Sequence, residues 1–322
     1  MLKLARHITL RQLQIFEAIG RLKSFTRVAE ELFLTQSTVS TQVKHLSDLA
    51  GMPLVEVVGK KTYLTHAGEI MYHACQDVIN RLDNAEMAFA DLKGIKTGTL
   101  KLSVITTAKY FAPEVLGKFW QLYPDIEVAL DINNRENILQ RLQNNEDDLY
   151  ILGHNPPKDL DITSIAFASN PIYVMASKQH PLVKQNKRLS LKQLAEQSLI
   201  FREPGSGMRD VVESKFASKG LKPNVRMVLS NNEAIKHALI GQLGISVLSL
   251  HAILLEGKKA PLALLDVEGF PVHRKWHLVY RKSKALSVVA ESFITFLREE
   301  GVILSKQIEQ LAQEMDPQLT PK

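Results

Sequence analysis

The sequence predicts an α/β protein with an all-α winged helix-turn-helix head, a long linker helix and two Rossmann-like lobes. Three observations predict it. Three short amphipathic segments open the chain, the second and third separated by a tight turn. An unbroken apolar stripe stepping by three or four follows. A strand–helix–strand–helix–strand order then appears twice. At 322 residues the chain exceeds one typical core, and a 45% hydrophobic content supplies apolar material for several. The expected divisions are 1–65 for the head, 66–93 for a linker and dimerisation helix, 94–169 with 271–300 for lobe I, 170–270 for lobe II, and 301–322 for a C-terminal extension.

In the head, Leu10, Leu13, Ile15, Phe16 and Ile19 recur at helical spacing, with Gly20 expected to close the helix. Ser24 caps a second helix that buries Phe25, Val28, Ala29 and Leu32. After the break Phe33-Leu34, Thr35 caps a third, with Val39, Val43, Leu46 and Leu49 as its core stripe and Gly51-Met52-Pro53 as its stop. The opposite face carries Gln36, Ser37, Thr38, Ser40, Thr41, Gln42 and Lys44. These hydrogen-bonding side chains suit the major groove, and the helix N-terminus at Thr35 favours phosphate. Residues 54–58 and 62–65 read as strands around the basic turn Gly59-Lys60-Lys61. That hairpin is a wing, with Lys60 and Lys61 expected on phosphate. The plainer alternative for the three helices is a protein-interaction module with a solvated polar face, and the wing counts against it.

Charge agrees with a nucleic-acid partner. The formal net charge is +6. In the head, Lys3, Arg6, Arg11, Arg21, Lys23, Arg27, Lys44, Lys60 and Lys61 outnumber Glu17, Glu30, Glu31, Asp48 and Glu56. In the next stretch Arg81 stands against Glu69, Asp77, Asp83, Glu86 and Asp91.

Thr65 caps that stretch, and Ala67, Met71, Ala74, Val78, Leu82, Ala85, Phe89 and Leu92 form its stripe. A helix of this length, roughly 39 Å at 1.5 Å per residue, needs a partner along it. The partner is a core of the same chain or a second copy. The neighbouring half-site reader favours the second copy, because two-fold DNA sites match two-fold proteins.

In lobe I, residues 99–104, 126–132 and 149–153 read as strands with helices between them. Residues 198–201, 225–229 and 244–248 repeat the order in lobe II, and the order implies parallel sheets. Residues 167–171 and 270–274 run between the lobes as a hinge, as in periplasmic binding proteins. A last strand at 276–280 and helix at 288–298 return to lobe I. The tail from 301 is expected to be a peripheral helix with a frayed end. Ligands bind such sheets beyond the strands' carboxyl ends. The expected lining is therefore Thr106, Thr107, Lys109, Asn133, Arg135, Ser206, Gly207, Arg209, Asn232 and Glu233. Hydroxyls, helix N-termini and cations favour a small anion.

The sequence carries no Gly-x-Ser-x-Gly elbow, no His-Glu-x-x-His and only one cysteine, Cys75, which reads as a packing residue. No catalytic residue, metal site or cofactor is expected. No apolar run approaches the roughly 18 residues a membrane span needs, so a soluble cytoplasmic protein without a membrane partner is expected.

Leu10-Arg11-Gln12-Leu13, Ser24-Phe25-Thr26, Ala29-Glu30, Leu34-Thr35-Gln36-Ser37-Thr38-Val39-Ser40, Pro53-Leu54-Val55-Glu56 and Leu64-Thr65-His66-Ala67-Gly68-Glu69 together resemble the signature of LysR-type transcriptional regulators. Thr106-Thr107-Ala108-Lys109-Tyr110-Phe111-Ala112-Pro113, Asn134-Arg135 and Arg202-Glu203-Pro204-Gly205-Ser206-Gly207-Met208-Arg209 resemble the family's carbon-fixation branch, where threonine is common at the position of Met208. The resemblance implies double-stranded promoter DNA, RNA polymerase and a small-molecule effector as partners, and a homodimer that pairs into a homotetramer. It implies 2-phosphoglycolate, ribulose bisphosphate or 2-oxoglutarate as the effector. A LysR-type regulator of an unrelated pathway, or an intracellular solute-binding protein without promoter activity, are the alternatives at this point.

Overall fold

The structure, a computed structural model, describes residues 3–59, 61–93, 96–154, 156, 160–185 and 187–315. It divides into two compact units, 1–94 and 95–322.

The first unit begins with α1 (Lys3–His7), α2 (Leu10–Leu22), α3 (Phe25–Glu31) and α4 (Gln36–Ala50). A capping box at Thr9 and Gln12 starts α2. Ser24 and Thr35 accept backbone N–H bonds from Arg27 and Thr38 to start α3 and α4. Gly20 does not end α2, contrary to expectation. The helix runs to Leu22, and Lys23 at φ +50 supplies the left-handed cap. Gly20 serves another purpose: a Cβ there would lie 2.2 Å from the ring of Tyr72. Phe16, Ile19, Val28, Val39, Val43 and Leu46 close the core, each contributing roughly 1.5–3 kcal/mol by leaving water.

β1 (Val55–Val58) and β2 (Lys61–Leu64) pair antiparallel as the wing. The long helix α5 (His66–Leu92) follows, capped by Thr65. Its first turns belong to the head core through Met71 and the fully buried Cys75. Burial pushes the Cys75 thiol up to about 12, so it stays protonated and unreactive at neutral pH.

The second unit has two five-stranded sheets. The elements of the first are β3 (Gly98–Ile105), α6 (Ala112–Leu122), β4 (Ile126–Asn133), α7 (Arg135–Gln143), β5 (Leu149–Leu152) and β6 (Ile162–Ser169). The chain then crosses into β7 (Ile172–Ser177), α8 (Pro181–Gln185), α9 (Leu191–Ala195), β8 (Leu199–Arg202), α10 (Gly207–Ala217), β9 (Val225–Leu229), α11 (Asn232–Ile240), β10 (Ile245–Ser249) and β11 (Leu262–Leu265). It returns as β12 (Lys275–Arg281) and ends in α12 (Val288–Met315). The strand orders are β4-β3-β5-β12-β6 and β11-β7-β10-β8-β9.

The sheets are mixed rather than purely parallel. β3 pairs parallel with β4 and β5, and β8 with β9 and β10. β12 runs antiparallel to β5 and β6, and β7 to β10 and β11. The odd strands are those that cross between lobes, so they enter each sheet without an intervening helix. The two crossovers touch: Ile172 and Val272 exchange backbone bonds at 3.0 and 2.9 Å, and Asn170 N–H donates to the Arg274 carbonyl at 2.8 Å.

The tail is not peripheral. Residues 301–315 continue α12, and Ile308, Leu311 and Ala312 are buried with Tyr173, Met175, Leu250, Ile253 and Leu262 of lobe II. Earlier in the same helix, Phe293 meets Phe119 of lobe I edge-on, with ring centroids 5.1 Å apart. One helix therefore packs against both lobes. Residues 316–322 lie outside the described set.

Candidate effector cleft and DNA-reading face

On α4, Gln36, Ser37, Ser40, Thr41 and Lys44 are exposed. The hydroxyls of Ser37 and Thr38 hydrogen-bond that of Thr35 at 2.9 and 2.8 Å, which ties the helix start together. Thr41 Oγ1 donates back to the Ser37 carbonyl. Gln42 differs from expectation. It is held inward, its Oε1 accepting from Gln12 Nε2 at 3.0 Å, so it braces α4 on α2. Lys61 is exposed at the start of β2, and Lys60 lies outside the described residues.

In the second unit, the carboxyl ends of β3, β5 and β8 converge on a cleft between the lobes. Thr106 and Thr107 open a 3₁₀ turn (Thr106–Tyr110) directly after β3. Asn134 caps α7 by accepting from Asn137 N–H at 2.8 Å, which places Arg135 in its first turn. Ser206 precedes α10 and makes no side-chain cap, leaving its hydroxyl and the first N–H groups of α10 facing the cleft. Gly207 is there for space, since a Cβ would lie 2.8 Å from His154 Cε1.

Of the expected lining residues, Thr106, Thr107, Arg135, Ser206 and Gly207 meet in this cleft; His154, Asn170, Arg202 and Arg274 join them. The other five have different occupations. Asn133 donates to Asp131 at 2.8 Å, and its neighbour Asn134 takes the wall. The Lys109 ammonium lies 5.1 Å from the Tyr110 ring centroid. Arg209 donates to the Arg202 carbonyl and pairs with Glu213. Asn232 bridges the lobes, accepting from Arg202 at 2.5 Å and donating to Thr107 Oγ1 at 3.3 Å. Glu233 accepts from Tyr110 Oη at 2.5 Å, a second bridge. Asn232 and Glu233 thus latch one lobe to the other.

The cleft is electropositive. Arg202 is buried but neutralised by a two-pronged pair with Glu203 at 2.7 and 2.8 Å. Arg135 is not neutralised in this way: among the described residues its nearest carboxylate, Asp210, is 3.8 Å away, and its buried Nε has no hydrogen-bond partner. Burial, together with the charge of Arg135, lowers the pKa of Arg274. Burial and the nearby Arg274 and Arg135 push His154 down to about 4, so it is neutral at pH 7. Two under-paired guanidiniums, an uncapped helix N-terminus and the Ser206 hydroxyl are suited to binding an anion. The interior is narrow, about 40 Å³, which is room for a few waters at roughly 10–15 Å³ each.

His154 and Arg274 escaped sequence reading. No motif marks them: His154 sits just past the carboxyl end of β5, and Arg274 reaches the cleft only by the return of the chain through the hinge. Arg202 stood in a quoted motif and was still passed over.

Residues 10–69 match the bacterial regulatory helix-turn-helix protein, lysR family, and residues 93–302 match the LysR substrate binding domain. The chain is 52% identical to the HTH-type transcriptional activator CmpR of Synechocystis sp. (strain PCC 6803), over 94% of this chain and 99% of that protein. It is 44% identical to the RuBisCO operon transcriptional regulator of Acidithiobacillus ferrooxidans, over 91% of this chain and 94% of that one. Among solved structures, the Synechocystis PCC6803 CcmR regulatory domain in complex with 2-PG is similar, with a TM-score of 0.61 and 43% identity, covering 64% of this chain and 98% of that one. These relatives are regulators, not enzymes. The chain belongs to the LysR family of DNA-binding transcriptional regulators, in the branch that holds the regulators of carbon fixation.

Proposed function

We propose that the protein controls carbon-fixation or inorganic-carbon-uptake genes by binding a small anionic metabolite between its lobes, with 2-phosphoglycolate the first candidate. The observation that carries the reading is Arg135, whose buried Nε lacks a partner among the described residues, beside the under-paired Arg274 and the open start of α10. A phosphate or carboxylate supplies what these groups lack. Entry breaks the Tyr110–Glu233 and Asn232–Thr107 bridges and replaces them with ligand contacts, which shifts the population of lobe arrangements. Two copies associate along α5, the dimers pair into a tetramer, and the α4 helices read an operator with two-fold symmetry.

Calorimetric titration with 2-phosphoglycolate, ribulose bisphosphate and 2-oxoglutarate at fixed ionic strength tests this. Saturable binding of one of them is expected. Arg135→Ala should weaken it about tenfold or more and leave promoter affinity unchanged. Binding that ignores Arg135, or no binding at all, removes the cleft assignment. For the head, Gln36→Ala should relax base preference, whereas Lys61→Ala should weaken all sequences alike and shallow the salt dependence.

A further inference from the structure

Behind the hinge lies a second, larger cavity of about 810 Å³, between the crossover strands and the last turns of α12. Its wall carries His154, His273, Arg274, Lys275 and His277, faced by Ile308, Ala312 and Gln313. One carboxylate, Glu309, is among the lining residues, and it is exposed. His277 Nδ1 is engaged by Ser164 Oγ at 3.0 Å, and its Nε2 has no partner among the described residues. Lys275 and Arg274 have no ion-pair partner among them either. A concave site with two cations, three imidazoles and a single exposed carboxylate suits an anionic ligand.

His273, Lys275 and His277 stand at alternate positions of one extended segment, so neighbouring members are roughly 6–7 Å apart along the chain. That spacing suits two anionic groups carried on a short chain, each with its own donors. Far more room is available here than in the front cleft, and the floor is formed by the stretch of α12 beyond residue 301.

We propose that this cavity is a second binding site, for a short linear dicarboxylate. Its wall shares His154 and Arg274 with the front cleft. An anion behind the hinge draws Arg274 towards itself and so competes with the front ligand for the same guanidinium. That coupling rests on the cleft reading; binding behind the hinge does not.

The test uses succinate as the probe, by calorimetry on the full chain at fixed ionic strength, in the Arg135→Ala background to disable the front cleft. Saturable succinate binding should persist there. Adding His273→Glu with Lys275→Glu, both at exposed positions, should weaken it about tenfold or more. Gln313→Trp, which fills the mouth from an exposed helix position, should do the same without touching a charge. Butyrate should bind about tenfold less tightly than succinate. Absence of succinate binding in both wild type and Arg135→Ala overturns the proposal, as does binding indifferent to all three back-wall changes. Equal affinity for butyrate or for inorganic phosphate overturns the dicarboxylate assignment. Loss of 2-phosphoglycolate binding alone would bear on the front cleft and leave this site standing.

Discussion

Two helices of nearly equal length, α5 with 27 residues and α12 with 28, carry the same kind of apolar stripe and meet opposite fates. α12 buries its stripe within its own unit. Val289, Phe293 and Leu297 are covered early, then Leu304, Ile308 and Leu311. α5 is covered only over its first turns. Beyond Cys75 its stripe is bare, with Val78 43%, Leu82 49%, Phe89 64% and Leu92 85% exposed. Periodicity states that a helix needs a partner; it does not state whose atoms the partner is made of. For α12 the partner is the chain itself. For α5 the partner proposed above is a second copy, since a bare seam of this length is costly in water.

The largest expected effect separates the two. Leu311→Ala should cost about 2–5 kcal/mol of unfolding free energy, read by denaturant melts, and the cost should not depend on protein concentration. Leu82→Asp with Phe89→Asp should do the reverse. Circular dichroism should stay unchanged while the dimer dissociation constant, read by sedimentation, rises about a hundredfold, or about 3 kcal/mol. A concentration-independent loss of fold in the α5 double variant would break the comparison.

Acid sharpens it. His251 lies fully buried beneath α12, accepting the Trp276 indole N–H at 3.4 Å, and burial pushes its pKa down to about 3. The unfolded chain binds a proton near pH 6.5 that the folded chain refuses, so stability is present above that pH and falls as pH drops towards 3. Between pH 7 and 5 the loss from His251 should be about 2 kcal/mol. A fall in Tm of the second unit that is flattened in His251→Gln checks it, and the apolar α5 seam should be indifferent. The smallest effect is Ser305→Ala. It removes the acceptor of the Ser169 N–H bond at 2.9 Å and should cost about 1 kcal/mol without altering association.

Much of the architecture was legible, and each miss has its own physical cause. The head could be read because each helix carries its own cap and its own stripe, at Ser24, Thr35 and Thr65. β7 lies outside the strand–helix–strand order by which the equally buried β5, β8 and β10 are read, because it follows β6 across Asn170-Pro171 with no helix between. In sequence the extension of α12 reads as peripheral because Glu299, Glu300 and Gly301 interrupt its stripe. Gly301 in fact lets the helix approach Phe167, where a Cβ would sit 2.1 Å from the carbonyl oxygen. At the cleft, five of the ten polar residues expected at strand ends line the wall. Asn232 and Glu233 could not be told apart from ligand contacts, because a side chain that grips the opposite lobe has the same chemistry as one that grips a ligand.

Gly20 lets the ring of Tyr72 settle on α2, and with Met71 and Cys75 it bolts the first turns of α5 into the head. The reading helix and the first turns of the linker are thus one rigid part, and in the dimer proposed above the linker would be a gauge for operator spacing. Each residue inserted into α5 beyond Cys75 would turn the head by about 100° and move it by about 1.5 Å along the helix axis. A single insertion would aim α4 at the wrong face of the duplex, while a near-integral number of turns would restore its aim at a longer half-site separation.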